Sequence, residues 1–280
     1  MLHRDVGLTV LKTQQIETRL DHIIKIAAAA GFAGVEPETR FLGELADAQK
    51  MKFHLDKNGI ELASLCLVED WQSHEENEEE RKNAEWVIDY LAENFPKTVL
   101  NLCPMPGANR SNLRGRQEAQ LACMNAIAKR AADRGLVSAY HPNSPAGSVC
   151  RVKEDYEFML KGLDAEVLGW IPDVGHLAKG GIDPLTMMQK YSSIIKHVHY
   201  KDMSKEGAWE AMGKGIIDFK SITSFMASLD FDGWLVVEDE CKQAELDPDG
   251  ITKADGVYIQ EVLEPLLNVS NTDKYCASMS

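Results

Sequence analysis

The sequence predicts a single closed (β/α)8 barrel, with eight parallel strands inside a ring of helices. Three observations lead there. Short apolar runs alternate with amphipathic stretches eight times over 280 residues, the pattern of βαβ units and a parallel sheet. The repeat averages roughly 35 residues, which suits the length of such a barrel. The competing open, doubly wound sheet usually carries a glycine-rich phosphate loop after its first strand, and this chain has Leu11-Lys-Thr-Gln14 there.

Each element follows from local pattern. Val6–Val10 is the first strand, and Ile16, Leu20, Ile23, Ile24 and Ala27 recur at helical spacing before a stop at Gly31. Ala33–Glu36 is the second strand, closed by Pro37; Leu42, Leu45, Ala48, Met51 and Leu55 mark the second helix, ended by Asn58-Gly59. Glu61–Leu67 is the third strand. The acidic run Glu75–Glu80 opens a helix bearing Trp86, Tyr90 and Leu91, since carboxylates suit the positive end of the helix dipole. Thr98–Leu102 precedes a helix with Leu121, Met124, Ile127, Ala128 and Ala131, stopped by Gly135. The fifth strand is Leu136–His141 and the sixth is Gly169–Asp173, followed by a turn at Gly180-Gly-Ile-Asp-Pro184 that opens the sixth helix. Ile194–Asp202 is the seventh strand. A long loop from Met203 to Asp218 leads to a helix with Phe219, Ile222, Met226 and Leu229; Trp234–Glu238 is the eighth strand, and a last helix carries Val257, Val262 and Leu263. The expected domain is one barrel over 1–267, with a disordered tail over 268–280.

Composition narrows the partners. A hydrophobic content of 44% is ample for a core. The formal net charge of -14 argues against nucleic acid and anionic membranes, both of which want clustered Lys and Arg. No apolar run approaches the roughly 20 residues that span a bilayer, and the N-terminus lacks a signal-peptide pattern. Six scattered cysteines read as free thiols of a reducing compartment. The expectation is a cytoplasmic, acidic protein with a small-molecule partner.

Polar chemistry gathers at strand ends. Strand alternation puts His197, His199 and Lys201 on one face. Two other apolar strands end in Asp173 and Glu238. An Asp, a His and a Glu delivered to one barrel mouth suit a hard or borderline divalent cation. His141, ending the fifth strand, is the natural fourth member. His176, three residues past Asp173, can reach the same mouth; His197 lies deeper and fills the interior. Lys201 can neutralise an oxyanion, and Glu36, ending the second strand, can bind substrate hydroxyls. There is no Gly-x-Ser-x-Gly elbow for a serine nucleophile.

Asp173-Val-Gly-His176, the Gly180–Asp183 turn, His197-Val-His-Tyr-Lys-Asp202 and the strand ending at Glu238 together resemble the xylose-isomerase-like TIM-barrel superfamily. That group includes sugar isomerases and epimerases, inosose dehydratases and endonuclease IV. The resemblance runs over about residues 5 to 266 and is most specific from Tyr140 onwards. It implies that Asp173, His199 and Glu238 bind a divalent metal, manganese first, with magnesium, cobalt or zinc as alternatives. It also implies a homo-oligomer. One departure stands out. Epimerases of this group place a Glu at the end of strand five, where this chain has Tyr140-His-Pro-Asn143. That segment, with Gly147-Ser148, is more similar to the inosose-dehydratase branch, which has an acidic residue near where Cys150-Arg151 stands. His141 is then expected as the fourth ligand, and Asn143 as a substrate contact.

The expected chemistry is proton abstraction alpha to a carbonyl of a sugar, keto-sugar or cyclitol. A divalent cation polarises the carbonyl and stabilises an enediolate, so a nearby carboxylate or imidazole can remove the proton. Glu238 is the expected base, His141 its partner, and Lys201 a further catalytic group; His176 and Glu36 contact substrate. The first expectation is a sugar isomerase or epimerase, with a dehydratase acting by β-elimination as the alternative. An endonuclease-IV-like nuclease and a non-catalytic barrel are the remaining rivals.

Overall fold

The computed structural model describes residues 6–9, as backbone, and 19–267. Its parallel ladders close into a ring. Strand β1 (Val6–Thr9) pairs with β2 (Gly34–Glu36) on one side and β8 (Trp234–Glu238) on the other. Strand β3 is interrupted at Ala63, running as Glu61–Leu62 against β2 and then as Ser64–Glu69 against β4 (Val99–Pro104). Next come β5 (Ser138–Tyr140), β6 (Leu168–Trp170) and β7 (His197–Tyr200), and β7 pairs with β8. Single bridges, Glu38 to Cys66, Trp170 to Ile195 and Asp173 to His199, join the two half-sheets. The expected barrel is the observed fold.

Helices clothe the outside because their apolar residues fall on one stripe. In α4 (Leu113–Asp133), Leu121, Met124, Ile127, Ala128 and Ala131 are all buried, as the 3.6-residue period demands. The others are α1 (Leu20–Ala29), α2 (Ala48–Asn58), α3 (Glu78–Asn94), α5 (Lys153–Gly162), α6 (Val174–Lys179), α7 (Pro184–Lys190), α8 (Phe219–Ser228), α9 (Lys242–Leu246) and α10 (Pro248–Tyr258). The acidic run does start a helix. Asn77 caps α3, and Glu80 completes a capping box while also accepting the Trp71 N–H. Among the described residues, no helix is long and apolar enough to cross a membrane.

Several boundaries differ from expectation. The seventh strand begins at His197, because Ser192–Ile194 forms a short 3-10 turn. Leu45 belongs to a 3-10 turn ahead of α2, and Leu42 joins that turn to the one before it. A helix absent from the sequence reading, α6, follows Asp173 directly and precedes the Gly180 turn. The long loop after β7 contains a small hairpin, Asp202–Met203 against Trp209–Glu210. Val10, Ile16 and the tail from Asn268 lie outside the described residues.

Strand alternation gives the barrel an unusually polar lumen. Outward residues such as Val198, Tyr200, Leu235 and Val237 join the helix-facing core, whereas Val99, Ala139 and Ile171 form a small apolar plug inside. Around that plug sit buried Glu36, Ser64, Asn101, His197, His199, Asp173 and Glu238. Buried polar groups cost several kcal/mol unless paired. Their pairing therefore decides what the lumen is for.

Candidate active site and metal centre

The mouth is assembled by backbone before any side chain is considered. The Asp173–His199 bridge aligns the ends of β6 and β7, and the His141 N–H continues the β5 ladder by donating to the Leu102 carbonyl at 2.9 Å. Gly175 lets α6 pack this close, since a Cβ there would lie 2.7 Å from the Lys201 carbonyl oxygen. The result brings His141, Asp173, His199 and Glu238 together: each offers a buried ligand atom, and these atoms lie within 4.8 Å of one another.

Asp173 has two separate jobs. Its Oδ1 accepts the His176 N–H at 2.7 Å and caps α6. Its Oδ2 is buried with no hydrogen-bond partner; the side-chain nitrogens of His176, His141 and Lys201 stand 3.5, 3.6 and 3.9 Å away. The Nε2 atom of His141 is also buried without a hydrogen bond. Ligands about 2.1 Å from a shared ion lie roughly 3–3.5 Å from each other. Two orphaned atoms of metal-ligating type 3.6 Å apart, beside the Glu238 carboxylate and the His199 imidazole, fit a divalent cation.

Lys201 is the counter-charge. Its Nζ, on a residue 1% exposed, donates to Glu238 Oε1 at 2.8 Å and lies 3.1 Å from Glu240 Oε1 and 3.5 Å from His176 Nε2. Burial disfavours the ammonium, but Glu238, Glu240 and Asp173 outweigh it and raise the Lys201 pKa. Glu238 responds in the opposite sense. Burial would raise its pKa, yet Lys201 and the His199 Nδ1 contact at 3.0 Å hold it well below the usual carboxylate range. Burial likewise works against a charged His141, and Asp173 and the Cys103 thiol overcome this, pushing it up to about 10. Burial takes His176 down to about 3, with Lys201 assisting against Asp173. At neutral pH it is an uncharged imidazole.

Glu36 occupies a different place from the one its expected role required. At 2% exposure it accepts hydrogen bonds from Ser64 Oγ and Asn101 Nδ2, and its oxygens lie 2.9 Å from His197 Nε2 and 3.1 Å from His199 Nε2. The carboxylate supports the histidine strand from below and is fully engaged with protein groups. His197, fully buried, fills the interior as expected. Glu36, His197 and His199 also form a second group of metal-ligating type, one layer deeper. Asn143 donates to the Pro104 carbonyl at 2.6 Å and so ties two strand-end loops together, leaving its Oδ1 without a hydrogen bond.

The sequence reading missed three contributors. Glu240 lies two residues beyond Glu238, the last residue of β8, and that two-residue spacing was the available signal. Ser144 Oγ lies 2.7 Å from His176 Nδ1, a loop-to-helix pairing without a spacing rule. Trp209 roofs the site from the hairpin, its ring 5.4 Å from that of His176 and 4.8 Å from Lys201 Nζ. Asp202 pins this roof by accepting the N–H groups of Met203, Gly215 and Ile217. A Cβ on Gly215 would lie 2.3 Å from the Asp202 carboxylate.

Known proteins share this architecture. An inosose dehydratase of Geobacillus kaustophilus is 24% identical, over 88% of each chain. One of Clostridium tetani is 29% identical over 49% of this chain and 52% of its own, so that match spans about half the relative's length. The structure of D-psicose 3-epimerase with D-tagatose from Clostridium cellulolyticum H10 superposes with a TM-score of 0.72 at 15% identity, covering 94% of this chain and 99% of that one. A family model described as xylose isomerase-like TIM barrel matches residues 24–261, and the chain belongs to that family.

Proposed function

We propose that this protein is a divalent-metal-dependent lyase that removes water from a keto-cyclitol or keto-sugar by β-elimination next to the carbonyl. The carrying observation is the cluster of His141, Asp173, His199 and Glu238, in which Asp173 Oδ2 and His141 Nε2 lack hydrogen bonds. These four residues would hold the cation, for which a borderline ion such as manganese suits the mixed oxygen and imidazole donors better than magnesium, which prefers oxygen alone. When bound, it would supply Lewis-acid polarisation of the substrate carbonyl.

The remaining steps belong to the chain's own residues. Glu238 takes the proton from the carbon beside the carbonyl. Lys201 gives a proton to the departing β-hydroxyl, which leaves as water. The hydrogen bond of 2.8 Å between Lys201 Nζ and Glu238 Oε1 then returns the captured proton, so both groups end as they began. His176, held neutral, orients substrate oxygens, and Trp209 shields the reaction from bulk water. Elimination is placed ahead of isomerisation because it needs an unlike acid and base. Glu238 and Lys201 are such a pair, whereas two-carboxylate epimerisation needs an acid at the end of β5, where His141 stands. The inosose dehydratases among the relatives favour the same reading.

The test is turnover of inososes and keto-sugars with manganese in deuterated water. Elimination produces a conjugated ultraviolet chromophore and one equivalent of water, and Glu238→Gln abolishes it. Deuterium uptake without a chromophore would assign an isomerase or epimerase instead.

A further inference from the structure

We infer that the hairpin carrying Trp209 is a lid over the barrel mouth, latched shut by Lys179, and that small molecules and ions reach the cluster when the latch releases. The inference concerns access and holds whichever reaction the cluster performs; only its second test rests on the cation proposed above.

Closure of the mouth is the first observation. His141, Asp173, His176, His199, Lys201 and Glu238 are 0 to 9% exposed, so a sugar-sized molecule cannot touch them unless part of the wall moves. From below, the plug of Val99, Ala139 and Ile171 and the saturated Glu36 layer close the lumen. From above, Trp209 covers Lys201 and His176. The attachment of that cover is the second observation. Its roots are fixed, because Asp202 accepts the N–H groups of Met203, Gly215 and Ile217. Its far limb rests on α10, where Asp255 accepts the Met212 N–H. The turn between is closed on itself: the Ser204 N–H donates to the Ala208 carbonyl at 2.8 Å and the Gly207 N–H to the Ser204 carbonyl at 3.0 Å. Among the described residues, no hydrogen bond or ion pair joins 204–211 to the barrel wall, and the tie is the Trp209 ring. Lys179 is the third observation. It stands one turn beyond His176 on the same face of α6, with Nζ 3.9 Å from the centroid of the Trp209 ring. Lys179 is exposed and, among the described residues, forms no ion pair within 4 Å. The ammonium is thus held by the ring face, an attraction that at an exposed site is weak enough to break and remake, as a latch requires.

Fluorine NMR of the full chain labelled with fluorotryptophan gives one resonance for each of its five tryptophans, with Trp209→Phe used for assignment. Relaxation dispersion then reads exchange on the μs–ms timescale of lid motion, without any ligand. In Lys179→Met and Lys179→Gln the open population seen by Trp209 should be about twofold to fivefold that of the parent, the range for one exposed cation–ring contact. Lys179→Arg, which keeps a cation, should stay near the parent. Unmoved resonances of the buried Trp71 and Trp170 show that each variant keeps its fold. Release of manganese into a chelator, followed by electron paramagnetic resonance, gives the second readout, and it should quicken by the same factor in the two neutral variants. A Trp209 without dispersion in parent and neutral variants alike overturns the inference, as does an open population that loss of the Lys179 charge leaves unchanged. Manganese release that ignores a changed population overturns the gating. If the parent takes up no manganese, the proposed cation site falls, and the fluorine measurement alone still decides the latch.

Discussion

Two buried carboxylates of the lumen, Glu36 and Asp173, are made of the same chemistry and treated in opposite ways. Glu36 has four polar side chains from β3, β4 and β7 around it, at 2.5 to 3.1 Å. Asp173 Oδ2 has three nitrogens around it, all between 3.5 and 3.9 Å, and no hydrogen bond. Both lie at 2% exposure or less. Burial alone thus does not separate a structural carboxylate from a ligand; the saturation of its oxygens does. A saturated carboxylate holds the fold together, and an unsaturated one amid other metal-ligating atoms is poised to take a cation.

This contrast can be broken by substitution. The largest effect is expected at the mouth. Asp173→Asn keeps the oxygen that caps α6 and removes the charge facing the cluster. Turnover should fall by on the order of 10²–10³-fold or more, the scale of losing one preorganised electrostatic group, as measured by steady-state assay with manganese. The floor should respond in stability. Glu36→Ala strands His197, His199, Ser64 and Asn101, and equilibrium urea unfolding should register a loss of about 3–5 kcal/mol, as for breaking a buried ion pair. Asp173→Asn should cost less than half of that in metal-free protein. Equal stability losses would erase the distinction between the two layers.

A third buried acid sharpens the comparison at smaller amplitude. Asp255 on α10 accepts the Met212 N–H, and burial together with neighbouring Asp239 pushes its pKa up to about 8. The folded state therefore keeps a proton that the unfolded chain releases near pH 4. Stability contributed by this group is intact below that value, declines as pH rises from about 4 to 8, and is flat above. Asp255→Asn should flatten the decline and leave the protein more stable at pH 8.5, which thermal unfolding across that range will show. An unchanged slope would remove Asp255 from the account.

Much of this was legible in the chain because a parallel barrel writes its strands as continuous apolar runs, buried on both faces. The motif His197-x-His199-x-Lys201 could be read as one face because strand period is strict, and the polar ends of β6, β7 and β8 followed from it. The saturation of Glu36 could not be read. It depends on Ser64 and Asn101, each unremarkable in a strand and meaningful only after the ring closes. Ser144 and Trp209 were hidden for a related reason, since loops carry no period that aims their side chains. The short helix α6 was missed because its first turn overlaps the Asp173–His176 motif, and a cap and a ligand use the same residue types.

The central claim is that the cation belongs to the mouth and not to the deeper histidine group. Crystals grown with manganese and measured at its absorption edge test this most directly. The account predicts one anomalous peak bounded by His141, Asp173, His199 and Glu238. A peak between Glu36 and His197, or no peak within the barrel, would contradict it.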